Sequence, residues 1–318
     1  MSCGQIGSRW WSKIRVLAGA AYLAGNLLLG QVSAGQVASE AQGETPSSAG
    51  KSELFQKVVA NQKRTDQELD LFERIERVEN RKTGSDSRPP EVKVWRVFPA
   101  SVSNDKIPLT AEGKPISAES YRAELQKLEK LLAWATQKGP AQEEALAKMA
   151  RKRKERDDLI EATHAAFIFT LVGHEMRGEH SLAKYSMVPN PKYRPTSRNA
   201  TLLTKVKGYV WIDEQAAELA KVEGEVSEDV SLALFLAKVY KGSHFMEERY
   251  EIEPGIWVPT YEQYDFDGRK FLLPFAIHER TFYTDYRRVG LPKEALEVVR
   301  GELGKTGGET AGPQNIMR

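Results

Sequence analysis

The sequence predicts an α+β protein organised around an antiparallel meander, and two observations support this prediction. Between Lys205 and Val289, short segments rich in β-branched and aromatic residues follow one another at the spacing of strands joined by tight turns. Ahead of them, two regions carry apolar residues at helical spacing. The predicted strands are Lys205–Asp213, Leu219–Val226, His244–Ile252, Gly255–Tyr264, Phe271–His278 and Thr281–Val289.

The first of these strands alternates between two faces, with Tyr209 and Trp211 on one and Val210 and Ile212 on the other. Turn signals separate the later strands, at residues 253–255 and again at residues 265–268, where the sequence is Asp-Phe-Asp-Gly. Residues 229–240 interrupt the meander and are nearly all apolar at their centre. They predict a short buried helix or, alternatively, a core strand.

The N-terminus has the pattern of a secretory signal peptide. Arg9, Lys13 and Arg15 precede a short apolar stretch, Val16–Leu29, and small residues then lead to a cleavage site after Ala34. A membrane anchor is the alternative, but the apolar stretch is short and rich in glycine. Since no cysteine stands near residue 34, we expect a cleaved signal over residues 1–34 and no lipid anchor.

Cleavage changes what the composition implies. The single cysteine, Cys3, leaves with the signal, so the mature chain has neither a disulfide nor thiol chemistry. The signal holds three basic and no acidic residues, and its loss shifts the formal net charge from +2 to −1. Such a balance does not indicate a nucleic-acid partner.

The segment between the signal and the meander predicts helices, strands and one insertion. After a disordered spacer over residues 35–51, Ser52 begins a helix that ends near Glu68. Phe72–Val78 predicts an edge strand with its polar residues outward, although a continuing helix is also possible. The remaining predicted elements are a strand over Glu91–Phe98, a hairpin within Ser101–Ser117, and a hairpin that pairs Phe167–Val172 with Ser181–Val188.

The predicted insertion spans residues 117–162 and consists of two helices, of which Ser117 caps the first. The second contains the charged run Arg151–Asp158. A nucleic-acid patch is one interpretation of this run, and a solvated helix face with charges paired three and four residues apart is the other. We favour the solvated face, because a secreted chain does not enter the nucleus. After the domain, residues 290–318 predict a flexible tail, Gly-rich from Gly301 onward.

Catalytic and metal-binding motifs fail on their spacing. His174 and His180 are six residues apart, which does not place two imidazoles on one face of a helix. The calcium-loop interpretation of residues 265–268 lacks its final ligand, since Ala276 occupies that position. Gly304-Lys305-Thr306 lacks the leading strand of a phosphate loop, and no Gly-x-Ser-x-Gly elbow occurs. The sequence therefore predicts no enzyme, no cofactor and no metal.

Several segments carry a family resemblance: Pro191–Pro195 leading into Lys205–Asp213, Lys238–Ser243, Gly255–Pro259 and Tyr283–Arg287. They look like segments of secreted bacterial proteins that resemble the outer-membrane lipoprotein-sorting carriers (LolA/LolB-type) and the lipid-sensing regulators (RseB-type). The resemblance implies an unclosed antiparallel β-barrel, a strongly curved meander sheet whose lidding helices close an apolar cavity. It covers residues 52–289, but the charged helical insertion is absent from the minimal carrier.

Two functions follow as expectations. The resemblance implies a non-catalytic periplasmic carrier for lipid or lipoprotein acyl chains, peripheral to a membrane at most. From strand face and spacing, we select four aromatic residues as candidates for the cavity lining: Trp211, Phe235, Phe245 and Trp257. The alternative is an envelope sensor or scaffold that binds a protein partner through the charged helical insertion.

Overall fold

The computed structural model of the chain describes residues 46–81, 89–195, 198–232, 237–270 and 273–305. The predicted signal peptide, the first part of the predicted spacer and residues 306–318 lie outside these ranges. The helices are α1 (Pro46–Glu68), α2 (Ala118–Ala135), α3 (Pro140–Ala166), α4 (Arg198–Leu203) and α5 (Pro292–Lys305). Helix α1 begins six residues earlier than predicted, within the segment expected to be a spacer.

The strands are β1 (Phe72–Arg81), β2 (Glu91–Pro99), β3 (Asn104–Pro108), β4 (Thr110–Ala111), β5 (Lys114–Pro115), β6 (Phe167–Arg177), β7 (His180–Pro189), β8 (Val206–Asp213), β9 (Glu218–Val226), β10 (Val230–Leu232), β11 (Ala237–Val239), β12 (His244–Glu253), β13 (Ile256–Lys270) and β14 (Leu273–Arg288). Within the described ranges, twelve of them form one antiparallel sheet in the order β3-β2-β1-β14-β13-β12-β9-β8-β7-β6, while β11 pairs with β13 and β10 pairs with β11. The sheet is not closed, because β3 and β6 stand at its two ends. The predicted α+β class with an open antiparallel sheet is confirmed.

The two ends of the sheet bury opposite faces. Directly paired residues share a face, and one row across the sheet consists of Tyr185, Val210, Val222, Glu247, Glu262 and Thr281. We call the face that carries this row the inner face, and helices α1 and α3 cover it. A row one residue away runs from Glu248 through Tyr261, Phe282 and Arg77 to Val94. It lies on the outer face, where Val94 packs with α2 and α5.

Helices α1 and α3 run antiparallel across the inner face, as their successive contacts show. The rings of Phe55 and His164 lie 6.0 Å apart. Farther along, Asp66 is 2.6 Å from Arg156, and Asp70, just beyond α1, pairs with Arg153. The charged run of α3 therefore has two roles: Lys154 pairs with Asp158 four residues away, as predicted, but both arginines join α3 to the end of α1.

A second core lies on the outer face and corrects the prediction of a flexible C-terminal tail. Helix α2 contributes fully buried Leu125, Leu128 and Leu132, and α5 contributes Ala295, Leu296 and Val299. The predicted flexible tail from residue 290 is wrong for residues 292–305, because the apolar stripe of α5 packs here despite the glycines that follow it. The two helices of the predicted insertion, α2 and α3, cover opposite faces of the sheet.

Strand β1 is in the interior of the sheet, between β2 and β14, so the predicted edge position is wrong. Its polar residues Glu73, Arg74 and Glu76 are buried. Their partners lie inside the protein: Arg96 donates to Glu73 at 2.7 Å, Lys106 pairs with Glu76, and Arg74 donates to Glu76 on the same strand at 2.6 Å. β1 was correctly predicted to be a strand. Its charged side chains, however, pair inside the protein and do not face water.

Two more predictions about the meander are corrected, and one alternative is decided. Of the two alternatives for residues 229–240, the described part agrees with the strand: it contributes β10 and β11, with residues 233–236 outside the described ranges. The predicted turn at residues 265–268 lies inside β13, where a side chain on Gly268 would collide with the carbonyl of Lys238 and the ring of Phe275. The segments Phe271–His278 and Thr281–Val289 are not two strands, because one continuous strand, β14, spans both from Leu273. The other predicted strands and the Ser117 cap are confirmed.

We expect the network around Arg96 to hold the second core on the sheet. Arg96 donates to Tyr121 of α2 at 2.6 Å and to Glu302 of α5 at 2.7 Å, as well as to Glu73. Arg96→Leu would leave these acids without their main partner, so we expect a loss of about 3 to 5 kcal/mol in the free energy of unfolding, measured by urea denaturation.

The control is Arg300→Leu, which removes an exposed ion pair to Glu129 on the same two helices. It should cost less than about 1 kcal/mol. Similar losses in both variants would contradict the role given to Arg96.

Candidate functional site

An apolar cavity lies between the helical lid, α1 and α3, and the inner face of strands β6 to β9 and β12. Its volume is about 90 Å³. The lining is aliphatic and aromatic apart from Gln62, Thr163 and His164. The other lining residues are Phe55, Val58, Val59, Ile160, Phe167, Phe169, Met187, Leu203, Val206, Val210, Ile212, Leu219, Val222 and Phe245. Such a surface binds an apolar group, because burial of that group is favourable and few polar partners compete.

The stripe of α1 that lines the cavity begins with Phe55 and continues through Val58 and Val59 to Gln62, the spacing of one helix face. Phe55 stacks on Phe169 of β6 with ring centroids 4.3 Å apart. The far end of the stripe is held to the sheet by Asn61, whose amide donates to the carbonyl of Ala217 at 3.0 Å. The helix is therefore attached to the sheet at both ends of the cavity.

The sheet side of the cavity depends on a glycine. Phe245 of β12 lies opposite Gly224 of β9, and a Cβ atom at Gly224 would stand 2.3 Å from the phenyl ring. Only glycine leaves room for the ring to lie flat against the neighbouring strand. Phe245 is thus placed among the cavity residues, beside Val222 and Val210.

The other three aromatic candidates have different positions. Trp211 and Trp257 are buried together in a cluster with Leu182 and Ala220, and neither lines the cavity. The indole of Trp211 donates to Glu175 at 2.9 Å. Phe235 lies outside the described residues. Sequence analysis missed most of the lining, although the apolar stripe of α1 was a usable signal for it.

Beside the cavity, α1, α3 and strands β9, β12 and β13 carry a group of charged side chains, buried or nearly so, that we call the charged layer. Its members are Asp66 of α1, Arg156 of α3, Glu218 of β9, Glu247 and Arg249 of β12, and Glu262 of β13. Arg249 is central: its guanidinium donates to the carbonyl of Trp257 at 3.0 Å and to Glu247 at 3.4 Å. Arg64 reaches Glu218 at 3.0 Å from the solvent side.

Burial raises the pKa of three carboxyl groups in the charged layer. The pKa of Glu247 is raised to about 8 by burial, with Glu262 and Asp66 adding to the effect against the attraction of Arg249. Burial also raises the pKa of Glu218 to about 7, although Arg249 and Arg64 lie near, and it raises the pKa of Asp66. Glu247 therefore keeps its proton at neutral pH, which reduces the charge that the layer buries.

Within the described part of the chain, no group of histidine, cysteine and acidic residues is arranged to hold a metal ion. His174 approaches Glu214 at 3.4 Å, and His180 bonds Asp213 at 2.7 Å, so the two histidines have separate partners. No described helix has both the length and the apolar character needed to cross a membrane.

No family model matches the chain, and no curated protein matches it. Among solved structures, it is similar to a LolA superfamily protein from Nitrosomonas europaea, with 11% identity, a TM-score of 0.28, and coverage of 77% of this chain and 96% of that one. It is also similar to a putative outer membrane lipoprotein-sorting protein domain from Vibrio parahaemolyticus, with 12% identity, a TM-score of 0.28, and coverage of 77% and 99%. The sequence motifs resemble the same class, but at these identities no residue role transfers to this chain.

The raised pKa values predict how stability depends on pH. A carboxyl whose pKa is higher in the folded than in the unfolded state stabilises the fold at low pH, and this contribution is lost as pH rises through the folded pKa. For Glu218 and Glu247, the loss runs from the unfolded value of 4.5 to about 7 and about 8. The free energy of unfolding, measured with urea, should therefore fall between about pH 5 and about pH 9.

Glu247→Gln should flatten this dependence, since an amide does not titrate, whereas Glu248→Gln on the outer face should leave it unchanged. If the wild-type protein and Glu247→Gln show the same pH profile, Glu247 does not titrate in this range.

Proposed function

We propose that the protein is a non-catalytic binding or carrier protein for the acyl chains of lipids or lipoproteins. The observation that supports this most directly is the apolar cavity under α1 and α3. An acyl chain is the common biological ligand that matches a lining with only three polar side chains. The secretory pattern of residues 1–34 supports a location in the periplasm.

The small volume of the cavity limits how a ligand binds. A space of about 90 Å³ takes a short apolar segment, not two or three full acyl chains. A larger lipid therefore requires the helical lid to move away from the sheet. The residues that such a movement would separate are apolar on the cavity side, mainly Phe55, Val58 and Ile160 against Phe169, Val210 and Phe245.

Filling the cavity should abolish binding without unfolding the protein. Val210→Phe places a ring into the space beside Val222, and the extra volume costs about 1 to 3 kcal/mol of stability. We expect at least a tenfold loss of affinity for a fluorescent fatty acid, measured by titration of the protein from Gly35 onward.

The matched control is Val188→Phe, an exposed position on the neighbouring strand β7. The Val188→Phe variant should bind the fluorescent fatty acid with the same affinity as the wild-type protein. A Val210→Phe protein that binds the probe as tightly as the wild type would show that the acyl chain does not enter this cavity.

A sensor or scaffold function is the second candidate, favoured by the small cavity and by the exposed charges on α3. Because α2 and α3 both cover buried cores, deletion of the insertion would unfold the protein and cannot test this function. Lys148→Glu with Arg151→Glu changes only exposed positions of α3. Loss of one identified envelope partner in crosslinking, with fatty-acid binding unchanged, would favour the sensor or scaffold over the carrier.

A further inference from the structure

The cavity and the charged layer meet along a boundary on α1, α3 and β12. On α1, cavity-lining Gln62 is followed one turn later by Asp66. On α3, Ile160 lines the cavity, and Arg156 lies one turn before it. On β12, Phe245 lines the cavity, and Glu247 is the next residue on the same face.

The same change occurs across the sheet. The paired row Tyr185, Val210 and Val222 is apolar through β7, β8 and β9, and it continues as Glu247 and Glu262 on β12 and β13. Helices and strands therefore change from apolar to charged at one common level. A boundary shared by α1, α3 and β12 marks where the apolar space ends.

The charged layer is a closed wall rather than a second pocket. The side chains of Glu247 and Arg249 are 1% and 2% exposed, and Asp66 is fully buried against Arg156. An alkyl chain that reached this level would have to separate Asp66 from Arg156 and leave Arg249 and the protonated Glu247 buried without hydrogen-bond partners. Leaving a buried ion without its partner costs several kcal/mol. A methylene gains only about 0.8 kcal/mol on burial.

From this geometry we infer that the charged layer sets the length of acyl chain that the protein accepts, with Glu247 and Arg249 as the residues that stop the methyl end. This inference rests on the proposed acyl-binding function and specifies its ligand as a single chain of limited length. It also implies that the polar head of the ligand lies at the end of the cavity remote from the layer, near Phe55.

The helix gives an estimate of that length. The cavity runs along α1 from Phe55 to Gln62, seven residues, or about 10 Å at 1.5 Å per residue. An extended alkyl chain with bonds of about 1.5 Å advances roughly 1.3 Å per carbon, so about eight carbons fit. Octanoate is therefore the upper limit of chain length, and since the closed cavity has a volume of only about 90 Å³, a chain of that length also requires the lid to move outward.

The first test is a series of saturated fatty acids from hexanoate to hexadecanoate, each competing with a fluorescent fatty acid for the full-length mature protein. Affinity should rise about fourfold per methylene up to about octanoate, and then change by less than about twofold in total. A rise that continues at the same rate to hexadecanoate would overturn the inference.

A second comparison tests the position of the head group. An alkyl amine and a fatty acid of equal chain length should bind with similar affinity. A strong preference between them would place the head group in the charged layer and would also overturn the inference.

The second test removes the boundary. Glu247→Ala with Arg249→Leu eliminates one acid and its guanidinium partner together, so that neither is left alone, and it opens apolar space beyond Phe245. In this variant the fourfold gain per methylene should continue past octanoate to at least decanoate. The control, Glu248→Ala with Lys221→Leu, removes an ion pair of 3.4 Å between β12 and the neighbouring β9 on the outer face, and it should keep the wild-type plateau.

The outcomes separate this inference from the proposed function. Binding with an unchanged plateau in the boundary variant, whose fold is checked by circular dichroism, would overturn the role of Glu247 and Arg249 but leave acyl binding intact. No binding of any fatty acid to the wild-type protein would overturn both. If the boundary variant does not fold, the wild-type series alone decides the chain-length limit.

Discussion

The open sheet has to bury a different face at each of its two ends, because each helical layer covers only part of it. At the β6 end, α1 and α3 cover the inner face, and at the β3 end, α2 and α5 cover the outer face. The two cores share no residue. Each helical layer is joined to the sheet by one buried arginine-centred network, with Arg156 and Arg249 on the inner face and Arg96 on the outer one.

These networks allow an open sheet to have a dry interior with charges in it. A buried carboxylate is tolerated if a guanidinium pairs with it, as Arg96 does with Glu73, or if its pKa is raised so that it keeps a proton, as for Glu247. The inner face uses both solutions side by side. Ion pairs and hydrogen bonds require particular distances and angles, whereas apolar contacts between neighbouring side chains do not. We therefore expect the charged layer to be more rigid than the apolar part of the inner face.

The sequence predicted the fold class and most strands, because alternation and turn residues are local signals. The predictions were wrong where a residue far away in the sequence provides the partner for a local group of side chains. The charges of β1 looked solvent-exposed, but Arg96 and Lys106 neutralise them from other strands. Gly268 looked like a turn, yet its role is to admit the carbonyl of Lys238 and the ring of Phe275.

The candidate site was harder to predict than the fold, for a related reason. Trp211 was selected as an aromatic residue from strand face and spacing, but the opposite face of β8, with Val210 and Ile212, lines the cavity. The pairing of β8 with β9 also shifts at a bulge between Trp211 and Ile212. No local sequence pattern predicts this bulge. Phe245 was selected by the same reasoning and does line the cavity. Its position depends on Gly224, a residue of another strand.

The separation of the two cores also bears on how a nearly filled cavity can accept a ligand. Displacing α1 and α3 at the Phe55 end would break apolar contacts, and an incoming acyl chain can form equivalent apolar contacts in their place. Displacement at the Asp66 end would break ion pairs that no acyl chain replaces. Opening should therefore begin at the Phe55 end, with the charged layer as the fixed end, and the core formed by α2 and α5 would keep the sheet intact while the lid moves.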